Sequence, residues 1–483
     1  MGRKHQNKQN EKENKFNQHK RKELTNLVQK LLNLTTVFYG TGNLTKIWDH
    51  HKEIIPLIKE IISFEKSSKK KANTREENLE KYVMWLKEHE VEYEGLEIAE
   101  FDGYDYGLKA LKSFSQDSLL LTIPKQVMMT EIDAQKSELS DFIKHDPLMQ
   151  NMQNVTLALF LLLEKSKQDS FWKPYIDTLP EKYSTVLYFD LEEFAELKPS
   201  PTFESSLKLY TNIARQYAYF WLKINKSEKP GLKNLKEIFT FDNYRWAVST
   251  VMTRQNHIQL TDFNTTAFIP LWDMCNHEQG KISTDFNKER NRGECYAKRD
   301  FMAGEQIFIF YGARPNADLF VHNGFVYPNN DFDYLTLVMG VGSGDPLREL
   351  KMSLLTKLGL HKVTQYRLYK KGTIIMPELL AFIRIFNMNK EELEKWNKFG
   401  MPSDLVSEES SAKEVDVDID ARAYQYLLTR CNLLISAYKR TEIKDADSLN
   451  RKNIKLLKEC EVQILEDAVK YLQTKVETLK PVA

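Results

Sequence analysis

Trp272-Asp273-Met274-Cys275-Asn276-His277 follows the apolar run Ala267-Phe268-Ile269-Pro270-Leu271, and further on comes Gly304-Glu305-Gln306-Ile307-Phe308-Ile309-Phe310-Tyr311-Gly312. The first stretch reads as a strand running into an Asn-His pair. The second reads as a Gly-Glu turn, a strand and a Tyr-Gly stop. Each is common alone. In this order and at this separation they are specific, and they require a β-rich core around residues 267–312. Taken alone, His277 reads as a hydrogen-bonded core histidine and Tyr311 as a half-buried aromatic with a satisfied hydroxyl. The pairing of the two stretches reverses the reading of His277.

At 483 residues, 42% of them apolar, the chain is long enough for two or three domains with cores of their own. Lys and Arg number 69 against 68 Asp and Glu, so net charge gives no pull toward nucleic acid or membrane, and a nucleic-acid role is confined to a weak one for the basic N-terminal arm. The longest strongly apolar run, Leu157 to Leu163, is far short of the ~20 residues a membrane helix needs. The N-terminus lacks an apolar secretory core, and Gln6 stands where a myristoylation motif needs Ser or Thr. A cytoplasmic protein is expected, with a nuclear pool as an alternative, and a monomer. Cys275, Cys295, Cys431 and Cys460 form no Cys-x-x-Cys pair, so neither a disulfide framework nor a metal site is expected.

Residues 1–22 hold eight Lys or Arg and two Glu with Phe16 the one large apolar residue after Met1. Such a segment buries too little to offset its ordering entropy and reads as a disordered tail, with a nuclear address or RNA-binding arm as the functional alternative. A helical stretch over about Glu23 to Phe64 follows, then a mobile linker at Lys66-Ser67-Ser68-Lys69-Lys70-Lys71. A helix from about Asn78 to His89 leads into strand patterns at Glu94–Ile98, Tyr106–Ala110 and Ser118–Pro124. Residues 131–256 read as a helical insertion ending in a helix over Asn243 to Gln255 capped by Asp242. Strands resume at Ala267–Leu271, Glu294–Ala297 and Gln306–Phe310, and the core closes near Tyr327. Beyond Gly340 the periodicity is helical at Leu347–Leu358, Pro377–Phe386, Tyr424–Tyr438 and Asn453–Leu472, with the acidic stretch Glu408 to Asp420 as a loop.

From about Thr74 onward the chain resembles the SET-domain actin-histidine N-methyltransferases, part of the group typified by the Rubisco large-subunit lysine methyltransferase. The resemblance is densest at Arg215–Phe220, Tyr244–Ser249, Val251–Asn256 and Ile269–His277. It implies an α+β fold: a split β-rich SET core with a helical insertion, followed by an α-helical substrate-binding domain. The domains expected are an arm and linker over 1–72, the SET domain over 73–330 and the helical domain over 340–483. It implies S-adenosylmethionine as methyl donor, actin as protein substrate and transfer of one methyl to the tele nitrogen of a histidine. By the same resemblance Arg75, Tyr104, Asp105, Tyr106, Arg254, Asp273, Met274, Cys275, Asn276, His277, Tyr311, Asn323 and Phe325 line the donor. Asn323 stands where a small hydroxyl residue is expected, and Tyr104-Asp105 replaces an acidic-glycine pair. Arg215 and Arg314 are expected to hold the target peptide, with structural ion pairs as the alternative.

The acceptor decides the function. A lysine must first lose a proton from a group of pKa ~10.4, whereas imidazole at ~6.5 is mostly neutral near pH 7.4. Histidine methylation therefore needs tautomer control more than a base. In Arg254-Gln255-Asn256 the Asn256 amide can bond one ring nitrogen and leave the other toward the methyl. Trp272 and Ile309 can pack the ring, Gln255 adds a second amide, and the resemblance implies that Tyr311 aligns the acceptor. The competing reading of Asn256 is a helix C-terminal cap. The rival activities are a protein-lysine methyltransferase and, from another class, a non-catalytic SET module binding actin or RNA.

Overall fold

The computed structural model describes residues 2–37, 43–65, 74–260, 264–407, 417–441, 443 and 448–479. The expected linker at 66–71 lies outside them. The chain divides into two compact units, one of residues 1–188 and 207–312, the other of 189–206 and 313–483.

The first unit opens with helices Gly2–Thr35 and Leu44–Glu65. The backbone of 2–22 is thus helical, against the disorder expected of it. The composition argument weighed only burial, whereas Lys, Glu and Gln are strong helix formers and this stretch runs on into turns anchored by the buried Val28 and Leu31. The one helical stretch expected over 23–64 is two helices. Helix Arg75–Glu88 starts with a capping box, Thr74 and Glu77 satisfying each other's backbone amides.

Three small sheets follow. Strands β1 (Leu96–Phe101) and β2 (Asp105–Ala110) form a hairpin, β3 is Leu119–Pro124 and β4 is Met129–Thr130. After the helical insertion come β5 (Asn256–Gln259), β6 (Asn264–Phe268), β7 (Asn276–His277), β8 (Thr284–Asn287), β9 (Arg292–Tyr296) and β10 (Gln306–Ile309). The sheet orders are β1-β2-β10-β7, β3-β9-β8 and β4-β6-β5. Within the insertion, helix Gln153–Ser166 carries the Leu157–Leu163 run and is buried on nearly all sides, as an all-apolar helix must be. No described helix is long and apolar enough to cross a membrane.

The helix that delivers Asn256 spans Phe241–Arg254, and its cap is Thr240, which accepts from Asn243 N. Asp242, the expected cap, pairs instead with Arg245 at 2.7 Å. The helix ends at Gln255, and Asn256 opens β5 opposite Ala267.

The second unit is not wholly helical. A hairpin of β11 (Tyr334–Val338) and β12 (Gln365–Tyr369) pairs Leu335 with Leu368, and the buried alternation at Leu335, Leu337, Tyr366 and Leu368 is the period of a half-buried strand. Helices Arg348–Lys357, Pro377–Asn387, Lys390–Phe399, Val417–Lys439 and Leu449–Thr478 supply the rest. The loop expected over 408–420 lies outside the described residues as far as 416, and 417–420 are helical. Arg384, 1% exposed, grips Asp420 with two bonds and the carbonyls of Leu405 and Ser407, so its charge is compensated in full.

Candidate active site

The two stretches that constrain the sequence meet in space. β7 and β10 run parallel, Asn276 opposite Phe308 and His277 opposite Ile309. Just beyond β10, Tyr311 N donates to His277 Nδ1 at 3.2 Å and its hydroxyl donates to Cys275 O at 2.8 Å. Two bonds therefore stitch the Tyr-Gly stop onto the Cys-Asn-His turn, and Nδ1 as acceptor leaves the proton of a neutral His277 on Nε2. Burial pushes the Tyr311 phenol well above its usual value. Gly312 has φ +97°, open to glycine and strained for other residues.

Asn276 Nδ2 reaches across to Tyr106 O at 3.3 Å. A Cβ at Gly107 would stand 3.2 Å from that Nδ2 and collide with Gln306 Nε2, so any larger residue there would push the Gln306 amide aside and crowd that of Asn276. The Arg75 guanidinium sits 4.7 Å over the Tyr106 ring and bonds the Asp105 carboxylate and Thr178 O. Arg75 is held below its ordinary pKa by burial and by Arg254. Asp105 has φ 63°, so a non-glycine residue occupies a left-handed position. Tyr104 is exposed and packs edge-on to Phe308 at 5.5 Å.

Arg254 and Asp273 form a buried pair. Arg254 Nη1 donates to Asp273 O at 2.8 Å and lies 3.4 Å from Oδ1, and the Asp273 side chain is 1% exposed. Burial opposes charge on Arg254, but Asp273 and the surrounding tyrosines outweigh it and hold the guanidinium above its usual range. Burial raises the Asp273 carboxyl while Arg254 and the Tyr175 hydroxyl pull it back. The backbone just before is strained: Leu271 has φ 71° and ψ −49°, a rare conformation for a branched residue, of the kind that clusters at functional sites. Met274 and Cys275 are buried in the turn that follows.

Asn256 and Trp272 line one cleft of about 700 Å³. Its far wall is the β8–β9 hairpin, with Ile282, Asp285, Phe286, Glu289, Glu294 and Tyr296. β5 and β8, from different sheets, lie against each other there. A Cβ at Gly293 would stand 3.2 Å from Trp272 Cζ3 and 3.0 Å from Met128 Cε, so that glycine makes the seat for the indole. Asn256 Nδ2 donates to Arg254 O at 3.1 Å, which leaves its Oδ1 to accept. Trp272 Nε1 and Gln255 Oε1 are buried without a hydrogen bond among the described residues. Ile309, buried in β10, and Tyr311 are outside the cleft lining. Arg215 stands exposed on helix Thr202–Lys226, bonded to Asn212 Oδ1 at 3.0 Å. The hairpin wall is the part sequence reading missed: only Glu294–Ala297 was read as a strand, and nothing local says which elements it faces.

Arg314, Asn323 and Phe325 belong to the second unit. Arg314 Nη1 donates to Asn323 Oδ1 at 2.7 Å, a hydrogen bond in place of the alternative ion pair. Asn323 ends a π-helical turn, Leu319–Asn323, closed by Gly324, and Phe325 follows half-buried. Among the described residues no cluster of His, Cys, Asp and Glu is placed to hold a metal, and the four cysteines are free.

A split set of small sheets, with a parallel Asn-His strand stitched to a Tyr-Gly stop, defines the SET class of protein. Residues 105–312 match the SET domain family and 342–472 the Rubisco LSMT substrate-binding family. Among solved structures, Rubisco LSMT bound to AdoMet aligns with a TM-score of 0.67 at 20% identity, over 83% of this chain and 93% of that one. The SET domain of LSMT bound to lysine and AdoHcy gives 0.66 at 19%, over 84% and 93%. At such identity the likeness concerns the fold. The actin-histidine N-methyltransferases of Gallus gallus and Danio rerio are each 37% identical over 93% of this chain and 77% of their own length, and that of Mus musculus is 36% identical over the same shares. The chain belongs to the SET-domain actin-histidine N-methyltransferase family.

Proposed function

We propose that the chain transfers one methyl group from S-adenosylmethionine to the tele nitrogen of a histidine in actin. The observation that carries the reading is the cleft in which an amide with a free acceptor oxygen, Asn256, stands with the indole of Trp272, in a chain 37% identical to actin-histidine N-methyltransferases. An actin substrate favours action in the cytoplasm.

The residues present fit the donor. Gly107 leaves room beside the Asn276 amide, and Tyr104, Tyr106 and Tyr311 offer aromatic faces of the kind that favour a sulfonium. Arg75, Asn276 and His277 are the polar groups assigned to its remaining parts, with the buried Arg254–Asp273 pair close enough for its charges to act on Arg75. When bound, the donor supplies an electrophilic methyl on positively charged sulfur. Everything else falls to the chain. Asn256 Oδ1 accepts the N–H of the pros nitrogen, which selects the tautomer whose tele lone pair is free. Trp272 confines the ring to a plane. Tyr311 keeps its proton near neutral pH because burial raises its pKa and Cys275 O takes its hydrogen bond. It therefore abstracts no proton, and from outside the cleft lining it acts by holding the Cys275–His277 turn. A neutral imidazole needs no base, and the pros proton leaves after transfer.

The test is mass spectrometry of actin incubated with the full chain and labelled donor, run as a single-turnover series in pH. One methyl on one histidine is expected, with the rate falling as pH drops through ~6.5. Label on lysine, with a rate still climbing steeply from pH 8 to 10, rejects the reading in favour of a lysine acceptor.

A further inference from the structure

The two walls of the acceptor slot come from separate segments. Asn256 opens β5 behind the helix Phe241–Arg254, and Trp272 opens the turn behind Leu271. Beside each wall stands one member of the buried pair: Arg254 is two residues before Asn256, and Asp273 directly follows Trp272. The bond from Arg254 Nη1 to Asp273 O therefore ties the end of one segment to the start of the other.

A carboxylate turns easily about its last torsion, so something must hold Asp273 to its guanidinium. Its Oδ1, 3.4 Å from Arg254 Nη1, makes no hydrogen bond among the described residues. Its Oδ2 accepts from the Tyr175 hydroxyl. Tyr175 is fully buried in the short helix Lys173–Ile176, its ring 6.4 Å from Phe268 and 6.2 Å from Tyr82. A side chain so enclosed has one place to put its hydroxyl. Arg254 also interacts with the half-buried Tyr183, which shares a hydrogen bond with Thr250 at 2.9 Å.

We propose that Tyr175 is a positioning residue for methyl transfer: by fixing the Asp273 carboxylate against Arg254, it sets the spacing and angle between Asn256 and Trp272. The inference rests on the reading of those two residues as the walls that hold the acceptor ring. A ring held less firmly presents both nitrogens, so the consequence is loss of regioselectivity as well as rate.

The experiment compares wild type, Tyr175→Phe and Tyr244→Phe. Tyr244 is buried on the same helix as Arg254 and bonds Gln216 at 3.0 Å, so its loss costs a comparable core hydroxyl without touching Asp273. Misplacement of reacting groups by about 1 Å can cost on the order of 100-fold, and the smaller shift here should lower the single-turnover rate on an actin peptide by about tenfold in Tyr175→Phe. The ratio of pros- to tele-methylhistidine in the product, separated by chromatography, should rise severalfold in Tyr175→Phe and stay at the wild-type value in Tyr244→Phe. A ratio unchanged in Tyr175→Phe, with only its melting temperature lowered, makes Tyr175 a plain core tyrosine and overturns the proposal. Should Tyr175→Phe melt below the assay temperature, Asp273→Asn keeps the side-chain shape and must shift the ratio the same way; an unchanged ratio there overturns it equally. Hydrogen exchange over residues 252–258 separates this from the broader reading. If wild type makes no methylhistidine the function is wrong, yet exchange there must still quicken in Tyr175→Phe and not in Tyr244→Phe, and equal exchange in both ends the proposal.

Discussion

Under the proposed function Asn256 carries the choice of acceptor, and the structure gives the helix C-cap to another residue. The helix closes at Gln255, and Asn256 pairs with Ala267 in a strand. Its Nδ2 bond to Arg254 O retains a trace of the capping role, but it spends only the donor and leaves the acceptor. Removing a hydrogen bond that aligns a transition state costs about 3 kcal/mol, or 10² to 10³ in rate. Asn256→Ala should therefore slow methylation of an actin peptide by that order, with S-adenosylhomocysteine affinity by calorimetry nearly unchanged. Asn256→Phe should lose histidine activity further and gain activity on the peptide whose target histidine is changed to lysine, because an aromatic wall accepts an alkyl amine. Equal histidine activity in wild type and both variants would retire tautomer control. What composition could not reveal at this scale was Gly293. Its part in seating Trp272 depends on a strand partner that no local pattern names.

Among elements, the helix Phe241–Arg254 has the most to do, since its far end presents Arg254, Gln255 and Asn256. Its first amides need partners from outside. Thr240 takes Asn243 N at 3.2 Å, and Glu65, the last residue of helix Leu44–Glu65, takes Phe241 N at 2.8 Å while accepting from the Tyr217 hydroxyl. The second N-terminal helix thus helps to cap the helix that leads into Asn256. Glu65→Ala leaves that amide and hydroxyl without their acceptor, a loss of about 1 to 3 kcal/mol, which should appear as a lower denaturation midpoint. Glu65→Gln, which can still accept from Phe241 N, should restore most of it. A midpoint unmoved in Glu65→Ala would show the cap to be dispensable. These elements also show where sequence reading succeeds and where it stops. Strong periodicity placed Gln153–Ser166, Pro377–Asn387 and the strands β2, β3 and β10 to within a few residues. Sequence alone misplaces the cap by two residues because Thr and Asp are both good caps; Thr240 takes Asn243 N, while Asp242 lies inside the first turn and pairs with Arg245 three residues on. The hairpin β11–β12 went unread because its strands are separated by a whole helix.

Across the molecule, the chain contributes to its second unit twice, as 189–206 and again as 313–483. The early segment is held there by Arg451 on Glu196, by Lys458 on the carbonyls of Glu196 and Lys198, and by one carboxylate of unusual setting. Glu461, on helix Leu449–Thr478, accepts from Ser200 Oγ at 2.8 Å, Thr202 Oγ1 at 3.3 Å and Tyr438 OH at 2.9 Å. Burial pushes its pKa up to about 7, against the pull of those hydroxyls and with Asp333 adding repulsion; Lys458 is the nearby cation. In the unfolded chain the same group titrates near 4.3. Between those values the folded state keeps a proton that the unfolded state has released. The stability this group adds is therefore complete below about pH 4.3 and is lost as pH rises through 7, the reverse of an ordinary salt-bridged carboxylate. Glu461→Gln cannot ionise and should flatten that slope. Chemical denaturation at pH 5 and pH 8 should show wild type losing on the order of 2 to 3 kcal/mol more than the variant over that interval. Parallel losses in the two proteins would mean that Glu461 stays ionised in the fold, and that its three hydroxyl partners outweigh its burial.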